Sequence, residues 1–323
     1  MIKNKFIKKL SSRPILGFPV RKIIAFVVKR EAQEIAHHFA EFLRPVVAYK
    51  PETINQVYHL RHDVYCKELA FEPPRADEME TDEFDRYSRF CMLQHRATEN
   101  YAGCVRIVSP RQSTELLPIE KYCEHAIKEA RIHPAQFHRS EICEISRLAV
   151  RAQYRRRQSD KFEGAAVGTI NETTYSEVEL RCFPFIAIGL YLSVASLAVR
   201  NNIKHAFVMM EPRLARSMRF VGIHFEQLGP AVEYHGKRAP YYINAEMLTH
   251  SLPISFQALM GNIDSEIAKD CMHAKEYARL DLPGSTDAGK LYSFSHGPEK
   301  PLSDIGNRIY CKTPHLSVRT AHK

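Results

Sequence analysis

Apolar positions along this chain switch repeatedly between helical and strand periods. Ile54, Val57, Tyr58, Arg61, Val64 and Tyr65 recur at three and four, which predicts a helix over 53–69 opened by Pro51-Glu52. Val46 to Tyr49 reads as a short strand before it. The runs 90–94 and 102–108 read as adjacent strands, turned near Glu99-Asn100. A helix is expected over 119–128. Residues 142–150 alternate, with Ile142, Glu144, Ser146 and Leu148 on one side and Cys143, Ile145, Arg147 and Ala149 on the other. A polar, basic, loop-like stretch covers 151–179. An apolar helix is expected over 184–201, a strand over 205–210 stopped by Pro212, and a helix over 213–221 ended by Gly222, a residue suited to a left-handed cap. Strands are expected over 225–234 and 241–248, with breaks at Gly229-Pro230 and Gly236. A last helix is expected over 252–280, and the residues from Pro283 onward read as irregular. The order predicts an α/β fold with a mixed sheet and helical extensions at both ends. Three regions follow: a basic amphipathic extension over 1–44, a principal domain over 45–250, and a helix with an irregular tail over 251–323.

Composition narrows the partners. The chain has 323 residues, 45% hydrophobic and 26% charged, enough for a sizeable core. Its net charge of +9 is matched by the nine Lys and Arg in residues 1–30, which contain no acid. The basicity is therefore regional, and a nucleic-acid partner is not expected. Two readings stay open for that segment, which also holds the apolar patch Ile23 to Val28. It binds an anionic membrane surface, or its apolar face packs as a core helix. The longest uncharged run, 182–199, contains Pro184 and Gly189 and leaves a helix shorter than the roughly 20 residues of a membrane span. The eight cysteines are never closer than thirteen positions, which excludes CxxC spacing. Reduced thiols in a cytoplasmic protein are the expectation. The sixteen histidines show no metal-binding spacing, and no metal is expected.

The candidate chemistry lies in three segments. The first carries Arg61, the spaced aromatics Tyr65 and Phe71, and the acids Glu80, Asp82 and Asp85 in an E-x-D-x-x-D pattern. The others are Gly103-Cys104-Val105-Arg106 and Glu144-Ile145-Ser146-Arg147. An acidic loop alone is an ordinary solvated surface; flanking Arg61 and Phe71 turn the reading toward a site. Arg147, between Ile145 and Ala149 on a strand that reads as central, needs a partner for its charge. Arg151, Arg155, Arg156, Arg157 and Lys161, followed by Gly164 and Gly168, form a basic run that suits an acidic partner or is simply a solvated loop.

These segments together resemble the acyl-homoserine-lactone synthases and N-acyl amino acid synthases, most closely the PEP-CTERM/exosortase-associated acyltransferases. The resemblance spans residues 45–250. It implies an N-acetyltransferase (GNAT) type of fold, in which an acyl thioester enters a splay between central strands. It also implies transfer of a long acyl chain from acyl carrier protein or acyl-CoA to an amino acid or related amine, with no permanently bound cofactor. Amide formation needs a neutral amine, donors for an oxyanion, an apolar slot and a carrier dock. By the resemblance, Glu80, Asp82 and Glu144 are the catalytic candidates. Arg61, Phe71, Asp85, Arg106, Ser146, Arg147 and Leu148 shape the substrate site. Arg151, Arg155, Arg156, Arg157 and Gly164 receive the pantetheine arm and its carrier. Phe71 stands where the autoinducer synthases usually carry tryptophan, a departure that bears on recognition of an adenosyl substrate. The helix expected over 213–221 lacks the tyrosine acid common in such enzymes. The alternative is a non-catalytic binding module of the same fold, peripheral to the inner face of the membrane.

Overall fold

The structure, a computed structural model, describes residue 34 and residues 36–154 and 185–280. Strands β1 (Leu43–Ala48), β2 (Ser88–His95), β3 (Tyr101–Val108) and β4 (Ile142–Val150) pair antiparallel in chain order. β5 (His205–Met210) joins β4 in parallel. The short strands β6 (Glu226–Gln227) and β7 (Val232–Glu233) both pair with β8 (Lys237–Asn244), which runs antiparallel to β5. The result is an open mixed sheet in the order β1-β2-β3-β4-β5-β8-β6, with β4 in its interior.

Helices cover both faces. On one side, α3 (Ile186–Arg200) and α6 (Ile254–Arg279) bury Leu190, Leu197, Leu259, Ile263 and Ile267 against Cys91, Leu93, Val105, Cys143 and Ile145. Ala36 and Phe39, from helical residues 36–42, enter the same core. On the other side, α1 (Pro51–His62) packs Val57 and Leu60 on Phe90, Met92 and Cys104. Next to it, α2 (Pro118–Tyr122) sets Ile119 on Ile142, Phe207 and Tyr242. The short α4 (Pro212–Phe220) and α5 (Ala245–Ser251) follow β5 and β8. Gly189 permits the approach of α3 to the N-terminal helical residues, since a Cβ there would lie 2.6 Å from the Phe39 ring. No helix among the described residues is long and apolar enough to cross a membrane.

The edge strand β1 does not leave its backbone open. The Val47 N–H donates to buried Asp270 of α6 at 2.9 Å, and Arg44 donates to the same carboxylate at 3.3 Å. An unpaired strand edge is thereby covered by a helix from the far end of the chain.

Several boundaries differ from expectation for local reasons. The helix expected over 53–69 is α-helical only to His62 and continues as a π-helical turn over Asp63–Glu68. The helix expected over 119–128 ends at Tyr122 and yields to a 3-10 turn over Glu124–Ala126. The strand expected to reach Leu248 stops at Asn244, whose side chain accepts the Met247 N–H at 2.8 Å and starts α5. The stretch 225–234 keeps only two short strand pairs. Gly222 ends α4 at φ +86°, as its position implied.

The largest departure lies within β4. Its register with β3 shifts, because Cys104 faces Ala149 whereas Arg106 faces Ser146. Two residues of β4, Arg147 and Leu148, therefore stand opposite the single residue Val105, and Arg147 takes φ +51°. This β-bulge breaks the simple alternation. Leu148 turns to the core that contains Cys143 and Ile145, and Ala149 turns to the α1 side. The expected face assignment of Leu148 and Ala149 is thus reversed beyond the bulge.

Candidate active site

Pairing of β4 with β5 covers only Ile142 to Ile145 against His205 to Val208. Beyond that point β4 stays with β3 and β5 stays with β8. The two strands part, and a cleft of about 850 Å³ opens at the divergence. Ile145 to Val150 line one bank and Val208 to Met210 the other. Val64, Ile186, Tyr191 and Leu214 add apolar wall, while Phe84, Pro118, Tyr122 and Tyr234 add wall from the α2 side. The cleft thus passes between the two faces of the sheet, and its volume suits a small-molecule site.

The acidic segment is not a solvated loop. Glu80 and Asp85 are buried, and so are Arg61 and Arg106. Arg61 Nε donates to Glu80, and its Nη1 donates to Asp85 at 2.8 Å. Arg106 Nη1 donates to Asp85 at 2.7 Å and to Asp82. Arg147 Nη2 lies 3.2 Å from Glu80 and 3.2 Å from Asp82. Three arginines and three acids alternate in a closed ring: Arg61, Glu80, Arg147, Asp82, Arg106, Asp85 and back to Arg61. Each arginine comes from a different element: α1, β3 and the β4 bulge. A buried ring of this kind fixes conformation more than it adds stability, because desolvation offsets much of the attraction. Here it pins the 80–85 loop, of which Glu80, Thr81, Asp82 and Phe84 line the cleft. Arg106 Nε also donates to Ser146 Oγ at 3.1 Å, which ties the ring to β4.

The three acids expected to do proton chemistry fall into two environments. Burial alone would raise the Glu80 carboxyl, but Arg61 and then Arg147 outweigh it and hold it below the usual value. Asp82 is likewise lowered, with Arg106 and Arg147 overcoming its burial. Glu144 differs. It is 2% exposed and has no ion-pair partner among the described residues. Its Oε2 accepts the Ile119 N–H at 2.6 Å, and the residue lines the cleft. Burial pushes its pKa up to about 8, against the opposing pull of the Ile119 N–H and Arg106. A carboxyl poised there can hold or release a proton near neutral pH.

The remaining expected site residues are placed as follows. Phe71, Ser146 and Leu148 line the cleft, and Phe71 is exposed. The Leu148 carbonyl accepts the Tyr65 hydroxyl at 2.8 Å, an orientation set by the π-helical turn that carries Tyr65. Gly103 is explained by packing, because a Cβ would meet the Ala149 carbonyl at 2.7 Å. Arg151 is turned away to Asp63, at 3.1 Å, and does not line the cleft. Arg155, Arg156, Arg157, Lys161, Gly164 and Gly168 lie outside the described residues, as do residues 1–30. His37, His38 and Glu41 bring ligand atoms within 4.8 Å of one another on a largely exposed surface, and none lines the cleft. The six described cysteines are buried free thiols.

Sequence reading missed Tyr122, Tyr191, Tyr234 and Arg238, which all line the cleft. Tyr122 and Tyr234 stack at 6.0 Å and 24°. Burial raises Tyr234 to about 12, with Glu144 adding to the shift. No local pattern marks these residues. Tyr234 and Arg238 flank Gly236, in a hairpin whose importance comes only from the strands beside it.

The model of the acetyltransferase (GNAT) domain matches residues 60–163, the stretch that carries the arginine–acid ring and Glu144. A search of curated protein sequences gives no match. Among solved structures the chain is similar to TofI in a ternary complex with an inhibitor and MTA, at 15% identity and TM-score 0.48, over 67% of this chain and 96% of that one. It is similar to the AHL synthase LasI at 14% identity and TM-score 0.44, over 65% and 95%. It is also similar to FeeM, an N-acyl amino acid synthase from uncultured soil microbes, at 14% identity and TM-score 0.42, over 66% and 95%. The chain has a GNAT-like domain built on an open mixed α/β sheet, extended by helices.

Proposed function

We propose that the protein is an N-acyltransferase that moves a long acyl group from a thioester to the amino group of an amino acid or related amine. The observation that carries this reading is Glu144, a buried carboxyl with a raised pKa beside a sheet splay that leads into an apolar cleft. In the proposed reaction Glu144 takes a proton from the acceptor's ammonium. The neutral nitrogen attacks the thioester carbon, and the N–C bond forms. Backbone donors along the part of β4 that β5 leaves unpaired stabilise the oxyanion. The C–S bond then breaks, the nitrogen's second proton passes to the leaving thiolate, and Glu144 releases the first proton to solvent. Glu80 and Asp82 already serve arginines, so their part is to hold the 80–85 loop and present the amine.

The acyl chain would lie among Val64, Leu148, Ile186 and Leu214. The donor is acyl carrier protein or acyl-CoA, and the charge of Arg155, Arg156 and Arg157 supports docking of an acidic carrier. The nine basic residues in 1–30 support contact with an anionic membrane, where a lipid-like product belongs. An open cleft beside ionisable groups favours an enzyme over a non-catalytic module. Full-length protein incubated with palmitoyl thioesters of carrier protein and of coenzyme A, plus a panel of amines, should give N-acyl products by mass spectrometry. Absence of product with every donor and amine would return the reading to a binding module.

A further inference from the structure

Arg238 sits at the start of β8 and lines the cleft. Its backbone belongs to the ladder with Val232, but its side chain makes no hydrogen bond or ion pair among the described residues, and its Nε is buried without a partner. Each arginine of the ring is ion-paired to acids, although Arg61 Nη2 is also buried without a partner; Arg238 is paired to no acid among the described residues. A guanidinium left unpaired in a partly buried site costs free energy unless a ligand completes it.

Strand register locates it relative to Glu144. Glu144 faces Phe207 of β5, and Phe207 faces Tyr242 of β8. Tyr242 packs in the α2-side cluster, whereas its neighbours Tyr241 and Ile243 pack in the other core. Arg238, four residues from Tyr242, shares that residue's face of β8. It therefore stands on the same face of the sheet as Glu144. The two are separated by the opening where β4 leaves β5. The buried Cys123 thiol senses both groups, being raised by burial, further raised by Glu144 and lowered by Arg238.

We propose that Arg238 anchors the carboxylate of the acceptor, so that a zwitterionic amino acid spans the splay with its ammonium at Glu144. The inference rests on the acyltransferase reading and specifies its acceptor. A guanidinium fork matches a carboxylate in bidentate geometry. With both ends of the acceptor held, the nitrogen is directed at the thioester carbon, and amines without a carboxylate lose that hold.

The test uses the full chain, a palmitoyl thioester, and common free amino acids each paired with its carboxamide. Wild type should favour the free acid over the amide by about 10- to 100-fold in kcat/KM, the range for a charge-assisted hydrogen bond. Arg238→Gln should erase that preference by raising KM for the acids, and the KM of the thioester should not follow. Arg238→Lys should restore part of it. Equal use of acids and amides by wild type would overturn the proposal. So would a preference unchanged in Arg238→Gln, or a loss that falls on the thioester. Wild type that acylates no amine would instead sink the acyltransferase reading. Calorimetric titration of free amino acids into wild type and Arg238→Gln would then still decide whether Arg238 holds a carboxylate. Equal binding by both, or binding by neither, would reject it.

Discussion

Replacing Glu144 by Gln separates proton chemistry from shape. Gln can still accept the Ile119 N–H that now meets the carboxylate at 2.6 Å, but it cannot take a proton. A general base contributes about 10²–10⁴-fold, which is about 3–5 kcal/mol of barrier. Glu144→Gln should lower kcat by that factor. The pH profile gives a second reading. With the carboxyl at about 8, wild-type kcat/KM should rise with pH and level off above that value. The variant should lose this limb and keep only the limb set by the amine's own ionisation. Stability moves the other way. The folded protein holds the Glu144 proton more tightly than the unfolded chain, so this site favours folding most at low pH. That advantage declines as pH rises from the ordinary 4.5 through about 8. At about 1.4 kcal/mol per pH unit, the full decline is at most about 5 kcal/mol. Urea unfolding of wild type on either side of this window should show the fall, and the Gln variant should show less of it. A variant with wild-type rate and the same pH limb would refute Glu144 as the proton acceptor. Loss of activity with equal loss of stability at every pH would leave it a structural residue.

Arg61→Met opens the ring and removes one buried partner from each of Glu80 and Asp85, which keep only Arg147 and Arg106, and should cost up to about 3–5 kcal/mol in denaturant unfolding; an unchanged midpoint would show that the ring does not depend on Arg61. Gly189→Val drives a Cβ to within 2.6 Å of Phe39 and should lower stability by about 1–3 kcal/mol. That penalty should shrink in a Phe39→Leu background, and simple additivity would reject the clash. Tyr191 and Ile145 separate the cleft from a second apolar cavity of about 50 Å³. Tyr191→Ala should join the two and shift preference toward longer acyl donors, at about 0.8 kcal/mol per buried methylene; an unchanged chain-length profile would place the acyl chain elsewhere.

Local periodicity was enough to read most of the succession of strands and helices along the chain, including the strand over residues 142–150. It also identified the apolar helix after the basic stretch and the cap at Gly222, because each depends on neighbours a few positions away. The acids at 80, 82 and 85 and the arginines at 61, 106 and 147 were legible as residue types that need one another. Their pairing into a closed ring was not, because it depends on the bulge that turns Arg147 while Leu148 and Ala149 exchange faces. No alternation rule anticipates an inserted residue, whose cost and position are set by the partner strand. Nor could sequence divide the acids by role. Glu80 and Glu144 are the same residue type, and only the tertiary structure surrounds one with guanidinium groups and the other with apolar side chains and a single N–H. Arg238 and Tyr234 carry no local signal at all. They enter the site because β8 pairs with β5 while β4 leaves it, a long-range event that brings residues far apart in the chain to one cleft.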